Sequence, residues 1–291
     1  MTSGEGALRG LKGLDHVLVG VSDLEAARAN WQRLGFTACP RGRHIGWGTA
    51  NYCLMLERDY IELIGIVDPT QFTNNLDVFL EGGEGLLGLA YASGDMAETA
   101  AALAERAIPA DGPKDLKRIL ELPEGEVRPA FELLFPEAEA LPGARAFICR
   151  HLTPEIVWRE EWTRHANGAR AILEIVGVVE NPEALEPAYR RVFGERAVHL
   201  QSGRLTVAVG GPTRLVLTRH ESLAEVMPQA VGRERPTQRL AGLTVGVRDL
   251  EATRGALQAS GVRAESSASA VMVDAQSANG VALSFREMPE A

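Results

Sequence analysis

The chain writes one short phrase twice, and any fold it adopts must hold both copies. Near the N-terminus it reads Leu14-Asp15-His16-Val17-Leu18-Val19-Gly20-Val21-Ser22-Asp23-Leu24-Glu25-Ala26. Near the C-terminus it reads Leu240-Ala241-Gly242-Leu243-Thr244-Val245-Gly246-Val247-Arg248-Asp249-Leu250-Glu251-Ala252. Aligning Val-Gly-Val-x-Asp-Leu-Glu-Ala sets His16 opposite Gly242. Internal similarity of this kind marks a repeated structural unit, and that unit can be built without a histidine at this place.

The repeated unit is an apolar strand, a short acidic turn, an amphipathic helix and then several strands. In the first copy Leu14–Val21 is the strand and Ser22-Asp23 caps a helix. The apolar positions Leu24, Ala27, Trp31 and Leu34 recur at helical spacing, and Gly35 stops the helix. Strands at Trp47–Leu56 and Tyr60–Val67 follow. The second copy has a strand Leu86–Ser93, a helix Met96–Ala107 and strands near Arg118–Leu122, Val127–Phe135 and Arg145–Leu152. Pro123-Glu124-Gly125-Glu126 reads as a hairpin turn. The third has a strand Ala171–Val179, a helix Glu183–Phe193 and strands Ala197–Gln201, Arg204–Val209 and Arg214–Thr218. The fourth has a strand Leu240–Val247, a helix Leu250–Ser260 and strands near Ala270–Ala275 and Val281–Arg286. Two polar stretches, Glu155–Gly168 and His220–Gln238, read as linkers. An α+β chain of four β-α-β-β-β units is predicted, with one pair over residues 13–154, a linker over 155–169 and a second pair over 170–288.

Composition narrows the function classes. The 291 residues are 45% hydrophobic and 24% charged, with a net charge of −9, an ordinary globular balance. The acidic excess argues against nucleic acid and anionic membrane as partners. No apolar run reaches membrane-spanning length, the first ten residues lack the apolar core of a signal peptide, and three cysteines without metal-type spacing suggest a reduced, cytoplasmic chain. A small molecule is the expected partner, and a homodimer is open to the chain.

Three residues carry potential metal chemistry. His16 interrupts an apolar strand, where alternation puts it on one face with Leu14 and Leu18. Glu62 lies in the apolar run Tyr60-Ile61-Glu62-Leu63-Ile64. A buried carboxylate there needs a partner, either an arginine or a cation, unless it is exposed at the sheet edge. His151 follows the strand Ala146–Arg150. Each histidine can equally be a satisfied core residue. Together the three offer two imidazoles and a carboxylate, a set that leaves coordination positions open on a divalent ion. His44, in Arg43-His44-Ile45-Gly46-Trp47-Gly48, is the candidate proton carrier, or else an exposed loop residue. Thr49 and Asn51 are candidate substrate hydrogen-bonders. Trp158, Trp162 and His165 form an aromatic cluster that either closes over the site or packs between the halves.

The unit pattern, the string Leu-Asp-His-Val-Leu-Val-Gly-Val-Ser-Asp-Leu-Glu-Ala-Ala and the string Tyr-Ile-Glu-Leu-Ile-Gly resemble the vicinal oxygen chelate superfamily, and within it the glyoxalase-like domain proteins. So does the run Gly42–Asn51. The resemblance is close over roughly residues 13–180. It implies two cupped mixed sheets, each of two paired βαβββ modules with helices outside, and a divalent metal (Zn, Mn, Ni or Fe) in the cup. It assigns His16 as the first-strand ligand, Glu62 as a last-strand ligand and His151 to the end of module two's last strand. The chain departs from a four-ligand pattern at Gly88, which favours three protein ligands. Gly242, and Leu173 or a neighbour, leave the C-terminal pair without a metal set. Two functions are implied. One is a metal-dependent enzyme with isomerase, lyase or dioxygenase chemistry on a small oxygen-bearing substrate. The other is a small-molecule binding or resistance protein that uses the same cup without catalysis.

Overall fold

The structure, a computed structural model, describes residues 6–230 and 239–288. It is α+β and holds two mixed sheets. The first contains β1 (Leu11–Gly20), β2 (Gly42–His44), β3 (Thr49–Met55), β4 (Tyr60–Ile66), β5 (Gly85–Ser93), β6 (Ala110–Leu122), β7 (Gly125–Val127), β8 (Ala130–Pro136) and β9 (Ala146–His151). Its order is β2-β3-β4-β1-β5-β9-β8-β6-β7. The second contains β10 (Ala169–Val178), β11 (Val198–Gln201), β12 (Arg204–Gly210), β13 (Thr213–Thr218), β14 (Arg239–Val247), β15 (Ala264–Ser266), β16 (Val271–Val273) and β17 (Ala282–Glu287), in the order β11-β12-β13-β10-β14-β17-β16-β15. In each sheet two opening strands lie antiparallel at the centre, β1 with β5 and β10 with β14. Each opening strand runs parallel to the last strand of its own unit. This is the paired-module cup.

The first cup closes on itself. β2 pairs β3 on one side and β6 on the other, with His44 opposite Arg118. Three residues are too short for a periodicity signal, so the sequence reads this segment as either strand or loop, and it does not predict the helix Leu76–Glu81. β6 begins at Ala110, eight residues before the predicted Arg118 start. Its first half is exposed and reads Asp111-Gly112-Pro113-Lys114-Asp115, which gives no alternation.

Helices form where the acidic turns predict them. Asp23 and Asp95 each accept from the amide three residues on, Ala26 and Glu98, at 3.0 Å, and Asn181 caps Ala184 likewise at 3.3 Å. Such caps satisfy amides that the helix leaves free. The helix Leu24–Arg33 buries Leu24, Ala27 and Trp31, so its predicted apolar stripe is the face it packs with.

One apolar core runs through both sheets, from Trp31 and Leu63 to Tyr189 and Phe285. Asp59 bonds across the halves, accepting the Ile172 amide at 3.1 Å. His165 belongs to this seam: its Nδ1 accepts the Thr37 amide at 2.9 Å, and its Nε2 donates to the Met55 carbonyl at 2.7 Å. Its place in the aromatic cluster is therefore structural.

The stretch predicted as the second linker is not one over its first part. His220–Ser222, Leu223–Val226 and Pro228–Ala230 form short helical turns, and residues 231–238 lie outside the described residues. Leu223, Met227 and Ala230 are buried against Val176, Val178, Val216, Ala241 and Ala282 of the second sheet. The segment plugs the second cup. Among the described residues no helix is long and apolar enough to cross a membrane.

Candidate functional site

The first cup encloses a mainly apolar cavity of about 750 Å³ counting its open mouth, which suits a small molecule. His16, His44, Asn51 and Glu62 stand together on one part of its wall, with Arg118 also lining it. All five are buried.

His16 is held on both sides. Its Nδ1 lies 2.6 Å from Asp15 Oδ1. Its ring stacks on Tyr60 at 4.5 Å and meets the edge of Phe147 at 5.5 Å. Adjacent strand residues ordinarily face opposite ways. Here the β1–β5 register slips between Leu14 and His16, and the bulged residue Asp15 comes round beside His16. Leu14 joins the core, so it does not share the cavity face with His16 and Leu18 as strict alternation predicts.

Burial alone would raise the Asp15 pKa. His151 and His16 outweigh that cost and hold the carboxyl well below the usual range. An ionised Asp15 beside Nδ1 orients the His16 ring so that its Nε2 faces the cavity. There it meets Glu62 Oε2 at 3.4 Å.

Glu62 is fixed as an anion. Burial raises its pKa, but His16, His44 and the Asn51 hydrogen bond bring it below the ordinary value. Asn51 Nδ2 donates to Glu62 Oε1 at 2.5 Å, and His44 Nε2 stands 3.7 Å from the same oxygen. His44 Nδ1 is 2.8 Å from Thr49 Oγ1. Burial is the main cause that lowers the His44 pKa, so the ring is neutral at pH 7. Thr49 touches His44 from outside the cavity lining, whereas Asn51 faces the cavity itself.

His151 stands behind this group. Its Nε2 turns to Asp15 Oδ1 at 3.2 Å, its ring packs against Trp158 and Phe131, and its Nδ1 is buried without a partner. His16 and Glu62 meet at the cavity wall, and His151 reaches them only through Asp15. Asp15, Cys149 and His151 form a compact donor cluster, with one donor atom of each lying within 4.8 Å of the others. Sequence reasoning missed Asp15 and Cys149: a one-residue bulge leaves no mark in a sequence, and a cysteine in an apolar strand reads as core.

The position of module two that corresponds to His16 in the repeat, Gly88, is closed. A Cβ on Gly88 would lie 2.5 Å from the Arg145 carbonyl oxygen, so a fourth ligand has no room. The second cup is closed differently. β10 pairs β13 and β14 in the registers that β1 uses with β4 and β5, which puts Glu174 at the place of His16 and Val216 at that of Glu62. Glu174 accepts from Arg286 and Thr244, both at 3.0 Å. A Cβ on Gly242 would overlap Met227 Sδ and the Ala282 carbonyl.

Residues 14–193, more than half of the chain, match the family described as glyoxalase-like domain. The chain belongs to this family, part of the vicinal oxygen chelate superfamily. No curated protein matches it in sequence. Among solved structures, this glyoxalase-like chain resembles a hypothetical protein from Staphylococcus aureus, with a TM-score of 0.69, 11% identity, and coverage of 96% of this chain and 100% of that one. It also resembles a xylose isomerase-like TIM barrel/4-hydroxyphenylpyruvate dioxygenase fusion protein, with a TM-score of 0.61 and 13% identity, over 99% of this chain and 50% of that one. At such identities the likeness is one of fold.

Proposed function

We propose that the protein is a metal-dependent enzyme that acts on a small oxygen-bearing molecule in the first cup. One observation carries this reading: an imidazole with its Nδ1 tied to a carboxylate presents Nε2 to Glu62 at 3.4 Å without a hydrogen bond. A lone pair facing an anion is unfavourable unless a proton or a cation stands between them. The separation suits two donors each about 2.1 Å from one ion. His16 Nε2 and Glu62 would hold the ion, and mixed N/O donors accept Zn, Mn, Ni or Fe. The Asp15–Cys149–His151 cluster is the weaker candidate. Asp15 Oδ1 already serves two imidazoles, and burial keeps the Cys149 thiol protonated. A bound divalent ion would supply Lewis-acid polarisation of a substrate oxygen.

The chain's own residues supply the rest. Asp15 fixes the His16 tautomer, and Tyr60 and Phe147 fix its plane. Asn51 orients Glu62. Neutral His44 accepts a proton at Nε2 from a substrate in the cavity, next to the Glu62 carboxylate that stabilises the resulting cation. Its lowered pKa keeps the ring in the proton-accepting form at neutral pH. Isomerase, lyase and dioxygenase chemistries all begin from such a site.

Calorimetric titration of the purified, chelator-treated chain with Zn, Mn, Ni and Fe(II) tests this. One ion per chain is expected, with affinity reduced at least about 100-fold in His16→Ala and Glu62→Gln and unchanged in Cys149→Ser. Absence of stoichiometric binding would leave the cup as a ligand-sequestering site.

A further inference from the structure

We propose that the cavity is built for a small monoanion with an apolar body, gripped at its anionic end by the guanidinium of Arg118. This rests on the first cup being the ligand site, as above, and not on the ion.

Arg118 is 3% exposed and lines the cavity. A charge taken out of water costs several kcal/mol unless it is paired, yet Arg118 forms no ion pair among the described residues. Its Nη1 donates to Cys53 Sγ at 3.0 Å, and its guanidinium carbon lies 5.4 Å from the centroid of the Phe131 ring. Its Nε is buried with no hydrogen-bond partner. The thiol does not neutralise it, because burial pushes Cys53 up to about 11. Glu62, the acidic residue on the same wall, has its oxygens turned to Asn51 and the imidazoles.

The backbone that carries this side chain is fixed on both sides. β6 is hydrogen-bonded on both edges, with Arg118 opposite His44 of β2 and the neighbouring Lys117 opposite Ala130 of β8. A planar fork held in this way matches a carboxylate. Most of the rest of the wall is apolar, including Ile64, Leu116, Leu133, Phe135 and Phe147, with Thr73 and Asn74 as polar exceptions. Arg145, exposed on the same cavity's lining, adds a second positive charge that draws anions in. The occupant that satisfies all of this carries one negative charge at one end and hydrocarbon or an aromatic ring at the other.

Phenylacetate and its neutral isostere phenylacetamide separate charge from shape. Both are titrated into the full chain, metal-loaded and chelator-treated, following calorimetry and tryptophan fluorescence, since Trp47 lines the cavity. The acid is expected to bind at least about tenfold tighter than the amide in both forms. Arg118→Gln should bring the acid down to the amide's affinity and leave the amide unchanged, and Arg118→Lys should keep a reduced preference. Equal binding of acid and amide by the wild-type chain overturns the proposal, with no variant needed. So does absence of saturable phenylacetate binding at millimolar concentration. A preference confined to the metal-loaded form and untouched by Arg118→Gln also overturns it while sparing the metal reading. A preference that needs Arg118 in a chain that binds no ion upholds it and sinks the metal reading.

Discussion

Asp15 joins the two histidines through a single oxygen, Oδ1. Replacing it with Asn removes the charge that fixes the His16 tautomer. Asp15→Asn is therefore expected to weaken divalent-ion affinity about 10- to 100-fold while the chain stays folded, as read by metal titration beside circular dichroism. Gly88 is constrained by space: Gly88→Ala meets the Arg145 carbonyl and should cost about 1–3 kcal/mol in urea unfolding. At this scale the sequence told much about His16 and Glu62, because a lone polar residue in an apolar strand has to find a partner. It told little about Asp15, because a bulge is set by how β1 meets β5. Arg118 was legible as part of a strand, but its missing counter-ion appears only once β6 has neighbours.

Among elements, the helices were the most legible and the sheet edges the least. An Asp before an apolar stripe predicts both the cap and the buried face, and Asp95→Ala should cost about 1 kcal/mol of stability, measured by denaturant titration. Short strands such as β2 have no period to read, yet β2 closes the first cup and carries His44 into it. The Leu223–Ala230 segment misled for the opposite reason. Its polar neighbours read as a linker, while its few apolar side chains fill the second cup. Met227→Ala should cost about 2–5 kcal/mol through the cavity it leaves and should not change ligand binding in the first cup. A linker residue would show neither the loss nor the separation.

Across the whole molecule, the two cups share a topology and differ in what fills them. The first holds an open cavity with His16, Glu62 and Arg118, and the second holds a plug and the Glu174–Arg286 pair. The repeat announced four units, and the histidine-for-glycine contrast pointed to the N-terminal pair. The shared core that binds the halves depends on long-range packing and left no such signature. Asp59, at the seam, is buried, and burial raises its pKa well above 3.8. The stability it contributes as a neutral acid is fully present below that unfolded value and is lost as pH rises toward the folded one. Asp59→Asn should therefore be more stable than the parent at pH 7, and the difference should shrink as the pH falls to about 3, as followed by urea midpoints. The proposed function puts an ion between His16 and Glu62. Crystals grown with Mn or Co and measured for anomalous scattering test it most directly. One peak bonded to His16 Nε2 and a Glu62 oxygen is expected, with Asp15 still on His16 Nδ1. A peak among Asp15, Cys149 and His151 instead, or none in the first cup, would contradict it.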